Sequence, residues 1–212
     1  MSLTLVIANK TYSSWSFRPW ILMRHYGIAF DEIMIPLAQD NTREEILRVS
    51  PSGKCPALHD GDIIVWDSLA IIESPKSIQK SRSCRAARRA GAGALAAEMH
   101  SGFTGMRQLL PMNMRRAVRK RNLTPEASAD VARIEQAFRQ ARNQFGQAGA
   151  FLFGDFSAAD AMFAPVVNRL HIYDVPVTAA TRAYMDAMMA LPAWQEWQAQ
   201  AEPWTIGKYE VA

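Results

Sequence analysis

Two stretches of the sequence combine residue types that could hold a charged ligand. The first is Ser50 to Ile72, S-P-S-G-K-C-P-A-L-H-D-G-D-I-I-V-W-D-S-L-A-I-I. In it Asp67 and Ser68 place a carboxylate and a hydroxyl where a helix should begin, next to four free backbone N–H groups. That end suits a ligand carrying a carboxylate and an ammonium together. Earlier in the stretch, Lys54-Cys55-Pro56 precedes a short apolar run. Proline cannot be a central ladder donor, and the X-Pro bond tolerates the cis form at roughly 0.5–1 kcal/mol, so a tight cis turn is expected at Pro56. Such a turn leaves the N–H and C=O of Cys55 outside any strand, free for a peptide-like ligand to lie against as an added strand. The second stretch is Tyr12 to Arg18, Y-S-S-W-S-F-R. Its hydroxyls, Ser13 and Ser14 among them, stand where a helix starts, and the positive end of the helix dipole favours an anion there. Each piece alone also reads as an ordinary turn or cap; the spacing of Lys54-Cys55-Pro56 and Asp67-Ser68 together carries the argument.

The elements that must position these residues follow from pattern. Leu3 to Ala8 is a short, β-branched apolar run, as a buried first strand should be. A polar turn then leads into a helix that ends near Gly27, with Pro19 expected in its first turn, where a missing N–H costs little. Phe30 to Leu37 reads as a second strand. A crossover helix precedes it, which argues for a parallel pair. Thr42 with Glu45 forms a capping-box pattern for a short helix to Val49. Asp60-Gly61 between Ala57–His59 and Ile63–Trp66 is a strong hairpin signal. The order is βαβ-α-ββα, thioredoxin-like.

Downstream the pattern turns helical. Leu95 to Leu110 is one candidate helix. Pro125 to Phe145 is another, with Val131, Ile134, Phe138, Ala141 and Phe145 on one stripe. In F-L-F-G-D-F-S-A-A-D, Ser157 reads as an N-cap with Asp160 three residues on, ahead of a helix apolar on every side, which belongs in the middle of a bundle. Thr178 to Leu191 and Trp194 to Ala201, separated by Pro192, complete the set. The fold class expected is therefore an α/β thioredoxin-like N-terminal domain followed by an all-α C-terminal helical bundle.

The Lys54–Ser68 arrangement resembles the second half of the glutathione-binding domain of glutathione S-transferases, where a cis proline, a hairpin and an acidic-Ser pair grip the tripeptide. On that resemblance Cys55, beside Pro56, offers its backbone to the cysteinyl unit. Lys54 lies near the glycine carboxylate, and Asp67 and Ser68 hold the γ-glutamyl end. The stretch G-D-F-S-A-A-D resembles the capping box of the central helix in the family's second domain, a folding role. S-S-W-S-F-R resembles the S-S-C-S-W-R turn of zeta-class members, which include maleylacetoacetate isomerase. Matched residue by residue, the thiol-contacting Ser is Ser13; counting back from Arg18, as in theta-like and delta-like classes, gives Ser14. Ser13 is preferred, and Tyr12 is a third choice. A free thiol titrates near 8.5, and a fall of about two units is worth roughly 2.7 kcal/mol of preference for the anion. The resemblance thus implies a glutathione transferase acting on a small electrophile, most often as a homodimer. Glutathione-dependent isomerisation of a maleyl-type acid and a silent transferase-like binding module stand as alternatives.

The match departs at Trp15, where the zeta motif has cysteine, and after Glu73. There Pro75 should end or kink the helix, and the residues following it read like an out-of-frame stretch until the pattern resumes near Leu95. The implied layout is a glutathione-binding domain at 1–73, an irregular basic linker at 74–90 and a helical domain at 91–212. Arg115 and Arg116 are candidates for attracting an anionic substrate, and Trp204 and Tyr209 for covering a second pocket.

Composition bounds the rest. With 212 residues, 49% hydrophobic, the chain can bury a good core. The net charge of +4 belongs to one segment: residues 74–90 carry +6 and no acid, leaving −2 elsewhere. That segment has no interleaved aromatics, which argues against nucleic acid. Cys55 and Cys84 make no disulfide framework, and with His25, His59, His100 and His171 they form no metal-ligand spacing. No leader pattern or run of about 18 apolar residues points to export or a membrane, so a cytoplasmic setting is expected.

Overall fold

A computed structural model describes residues 2–74, 86–146 and 149–210. The first part runs β1 (Leu3–Ala8), α1 (Ser14–His25), β2 (Phe30–Ile35), α2 (Thr42–Val49), β3 (Ala57–Asp60), β4 (Ile63–Trp66) and α3 (Ser68–Ile72). The sheet order is β2-β1-β3-β4. β1 pairs parallel with β2 from Leu3↔Phe30 to Ala8↔Ile35, as the crossover through α1 requires, and antiparallel with β3. β3 and β4 form the expected hairpin, with Asp60 opposite Ile63. Its two-residue loop is Gly61-Asp62. Gly61 takes φ +62 at the first central position, as a II′ turn needs.

Helix α1 ends as the glycine suggests: Gly27 has φ +60, Ile28 N–H donates to Met23 O, and Gly27 N–H donates to Arg24 O. Two local expectations differ. Pro19 is the sixth residue of α1, beyond the first turn, because the helix already starts at Ser14. Thr42 does not cap α2; Asn41 is the N-cap, and the Thr42 hydroxyl instead donates to Pro36 O at 2.7 Å and accepts from Gln39 N–H at 2.9 Å. The hydroxyl is used by the preceding turn, so no capping box forms.

The helical part comprises α4 (Ala86–Ser101), α5 (Thr104–Leu109), α6 (Pro125–Phe145), α7 (Ala158–Ile172), α8 (Ala179–Met189), α9 (Pro192–Ala199) and a final 3₁₀ turn, Gly207–Tyr209. Most of the expected 74–90 linker, with Cys84 and the proposed out-of-frame stretch, lies outside the described residues. Its far end, from Ala86, is already helical. The helix expected over Leu95–Leu110 is two helices, because Phe103 adopts φ +59 and caps α5. A side chain at Gly102 would also meet Glu98 O at 2.8 Å. Pro192 opens α9, where its missing N–H is harmless, and does not simply separate two helices.

Helix α7 is buried from Ala159 to Leu170. Its start is fixed by Asp160, whose carboxylate accepts from Ser157 N–H at 2.8 Å, Ser157 Oγ at 2.6 Å and Leu152 N–H at 3.1 Å. Burial nevertheless pushes this carboxyl up to about 6. The two parts share one apolar core. Phe17 and Trp20 of α1 pack against Trp197 of α9 with ring centroids 5.0 Å apart, and Trp197 Nε1 donates to Lys10 O at 2.9 Å. The tail also clamps the β1–α1 loop. Glu202 accepts from the N–H groups of Lys10 and Thr11, each at 3.0 Å. Among the described residues no helix is long and apolar enough to cross a membrane.

Candidate functional site

The Cys55-Pro56 peptide bond is cis. The loop before it is held by its own serines: Ser50 Oγ donates to Lys54 O at 2.8 Å, and Lys54 N–H donates to Ser52 Oγ at 3.2 Å. Among the described residues neither the N–H nor the C=O of Cys55 has a hydrogen-bond partner. Both are left for a ligand. The Cys55 thiol is pushed up to about 11 by burial, which keeps it protonated at neutral pH and makes it a poor nucleophile.

Asp67 is the N-cap of α3. Its Oδ1 accepts from Leu69 N–H at 2.9 Å and Ala70 N–H at 3.4 Å, while Oδ2 stands 3.4 Å from His100 Nε2. The backbone there has φ +78 and ψ 135, a region that side chains other than glycine's rarely enter, at a cost of order 1–3 kcal/mol. The buried hydroxyl of Ser68 has no hydrogen-bond partner. Lys54, Cys55, Pro56, Asp67 and Ser68 line one cavity of about 590 Å³, together with Ser52, Trp66, Trp15 and His100. All five residues of the Lys54–Ser68 constellation are thereby brought to a single opening.

The two serines of the α1 turn do not join that lining. Ser13 is the N-cap of α1; its Oγ donates to Ser16 Oγ at 2.8 Å and accepts from Ser16 N–H at 3.4 Å. Ser16 Oγ in turn accepts from Ala8 N–H at 3.1 Å. Ser14 is buried and makes no side-chain hydrogen bond among the described residues. The residue of this turn that faces the cavity is Trp15. Tyr12 is occupied elsewhere: its hydroxyl donates to Glu210 Oε1 at 2.6 Å and accepts from Ile206 N–H at 3.1 Å. Burial, reinforced by Glu210, pushes it up to about 12.

Arg115, Arg116 and Trp204 line a separate small pocket of about 100 Å³ with Tyr12, Asn113 and Glu210, while Tyr209 packs on Tyr12 at 5.4 Å. Trp15, Ser52, Trp66 and His100 line the cavity without having been read as ligand residues from the sequence. A lone His in a helical run carries no ligand signature, and its nearness to Asp67 comes from packing between α3 and α4. Among the described residues no group of three or more His, Cys, Asp or Glu is placed to hold a metal ion.

A thioredoxin-like sheet with a cis proline at its ligand edge, joined to a helical bundle around a buried capping-box helix, defines a class of two-domain proteins. Residues 12–74 match the model of the glutathione S-transferase N-terminal domain, and residues 117–198 match that of the C-terminal domain. The chain belongs to the glutathione S-transferase family. Solved structures share its fold at low identity. A glutathione transferase homologue from Burkholderia, with bound glutathione, is 19% identical with a TM-score of 0.69, over 95% of this chain and 100% of that one. The glutathione S-transferase of Xylella fastidiosa is 20% identical with a TM-score of 0.65, over 93% and 98%. Human glutathione S-transferase T1-1 in its apo form is 18% identical with a TM-score of 0.65, over 96% and 92%. No curated protein sequence matches the chain significantly.

Proposed function

We propose that the protein binds glutathione in the 590 Å³ cavity and transfers it to a small electrophile, the glutathione sulfur losing its proton and forming the new bond as the electrophile's leaving group departs. One observation carries this reading. Two separate stretches, Lys54-Cys55-Pro56 and Asp67-Ser68, meet around one opening with an unpartnered Cys55 backbone and an unpartnered Ser68 hydroxyl. The cysteinyl unit pairs with the Cys55 main chain as an added strand. The γ-glutamyl ammonium sits by the Asp67 carboxylate, its carboxylate by Ser68 and the start of α3, and the glycine carboxylate by Lys54. The sulfur then approaches the opening turn of α1 beside Trp15, where the helix dipole favours the thiolate. Ser14 is the better donor of the two serines, because the Ser13 proton is directed at Ser16. The exposed Ile63, Ile64 and Trp66 of the edge strand β4 fit a homodimer, which light scattering tests.

A second reading has its own support. Neither serine lines the cavity, which suits a protein that holds glutathione without activating it. The two separate in one experiment: a calorimetric glutathione titration, then rates with aryl halides, peroxides and maleylacetoacetate, for the parent, Ser13→Ala and Ser14→Ala. Expected are glutathione binding in all three and a bound-thiol pKa raised by about one to two units in Ser14→Ala, or roughly 1.4–2.7 kcal/mol. Glutathione that binds without any rate changing in either variant removes the serines from the chemistry. No glutathione binding at all removes the function.

A further inference from the structure

Two guanidinium groups stack on the Trp15 wall of the cavity, a third on α7 feels their charge, and among the described residues no carboxylate forms an ion pair with any of them. Arg18, the fifth residue of α1, is fully buried, and its Nε, Nη1 and Nη2 all lack a hydrogen-bond partner. Its Cζ lies 4.1 Å from the centre of the Trp15 ring. Arg107 of α5 stands over the same ring at 4.6 Å, and its Nη1 reaches only the carbonyl oxygens of His100 and Gly102, each at 3.3 Å. Arg169 of α7 is buried, with Nε and Nη1 unpartnered.

The three charges feel one another. Burial holds Arg18 well below its ordinary range, and the positive charges of Arg169 and Arg107 add to that; the Asp67 carboxylate opposes it. Arg169 is lowered to about 9, first by burial and then by Arg107. Among the described residues no carboxylate forms an ion pair with any of the three, and Asp67 spends its oxygens on the start of α3 and on His100. Buried guanidiniums are ordinarily paired, and this fork of donors matches a carboxylate. The indole that Arg18 and Arg107 share supplies only a weak attraction for cations.

We infer that Arg18, Arg107 and Arg169 form a subsite for an anionic group, a carboxylate on the electrophile, at the Trp15 side of the cavity. Half-buried Arg107 is the point of contact. Arg18 and Arg169, uncompensated in a low-dielectric setting, raise the positive potential there. The inference deepens the transferase reading, on which the identity of the anion as a substrate group rests. It does not require Ser13 or Ser14 to act.

The test compares a chloronitrobenzoic acid with its uncharged carboxamide, which differ in charge and little in shape. Each is titrated calorimetrically into the protein saturated with S-methylglutathione, so that no transfer occurs, and into the protein without it. The parent should bind the acid at least roughly tenfold more tightly than the amide, the scale of a hydrogen-bonded charge. Arg107→Gln should erase that preference and leave amide binding in place. Arg18→Met should shrink it without loss of thermal stability, because it removes a buried unpaired charge. Equal binding of acid and amide by the parent, or a preference that survives in both variants, overturns the inference. A titration of S-methylglutathione itself into each protein shows loss of the glutathione site separately from loss of the anion preference.

Discussion

Asp67 offers a test in which stability and binding move apart. Its side chain caps α3 through Leu69 N–H at 2.9 Å and Ala70 N–H at 3.4 Å, and its backbone sits at φ +78. Replacing an N-cap Asp by Ala costs about 1 kcal/mol, and alanine keeps the backbone strain of order 1–3 kcal/mol. Asp67→Ala should therefore be destabilised by about 1 kcal/mol. Glycine loses the same cap, but relieves the strain and costs only a few tenths as a cap residue. Asp67→Gly should thus match or exceed the parent in stability. Both variants lose the carboxylate proposed to face the γ-glutamyl ammonium, a charged hydrogen bond worth about 1.5–3 kcal/mol, or roughly tenfold to a hundredfold in Kd. Asp67→Asn keeps the cap and loses the charge, so it should be as stable as the parent yet bind weakly. Urea denaturation gives the first quantity and glutathione calorimetry the second. Equal stabilities of the Ala and Gly variants would refute the strain argument. Parent-like glutathione affinity in Asp67→Gly would refute the role of the carboxylate.

Three further outcomes follow from buried groups. The Asp160 carboxyl is raised from 3.8 to about 6 in the folded protein, so the folded state binds the extra proton between those values. Stability should fall by about 3 kcal/mol as pH rises from 4 to above 6 on this account, and Asp160→Asn should flatten that slope in pH-dependent urea melts. Trp197→Phe removes the donor to Lys10 O and leaves a buried carbonyl unpaired, so a loss of about 1–3 kcal/mol and a lower Tm are expected. With its thiol near 11, Cys55 should resist alkylation by iodoacetamide at neutral pH in a Cys84→Ser background; rapid, stoichiometric labelling would contradict the burial.

Much of the fold was legible because local and global signals agree. The β-branched run at Leu3–Ala8, the Asp60-Gly61 hairpin, the Gly27 stop and the Ser157/Asp160 cap each produced the element they imply. The misses share a cause. Thr42 has the pattern of a cap, but its hydroxyl is taken by Pro36 O, a competitor set by the turn and not by spacing. The Leu95–Leu110 helix breaks where Phe103 takes a positive φ and Thr104 starts the next helix, and periodicity carries no sign of it. At the site, Lys54 to Ser68 could be read because its residues are near in sequence and hang on one hairpin. Trp15, His100 and the three arginines come from α1, α4, α5 and α7, and their meeting depends on how the two domains pack.

Several features that oppose folding stand around this meeting point. Asp67 holds an unfavourable backbone angle, Ser68 buries a hydroxyl without a partner, and Arg18 buries a guanidinium without one. Several polar groups elsewhere are fully matched: Asp160 accepts three hydrogen bonds, Glu202 serves two backbone amides and a threonine hydroxyl, and Lys10 bonds to Glu32 and Gln200. A fold able to satisfy its interior at those places has the means to do so here, since replacing an unpaired buried charge by an apolar side chain is commonly stabilising. Costs that stand together on both sides of the Trp15 wall support the proposed reading, in which groups unsatisfied in the protein are completed by a peptide's main chain and charged ends and by an acidic co-substrate.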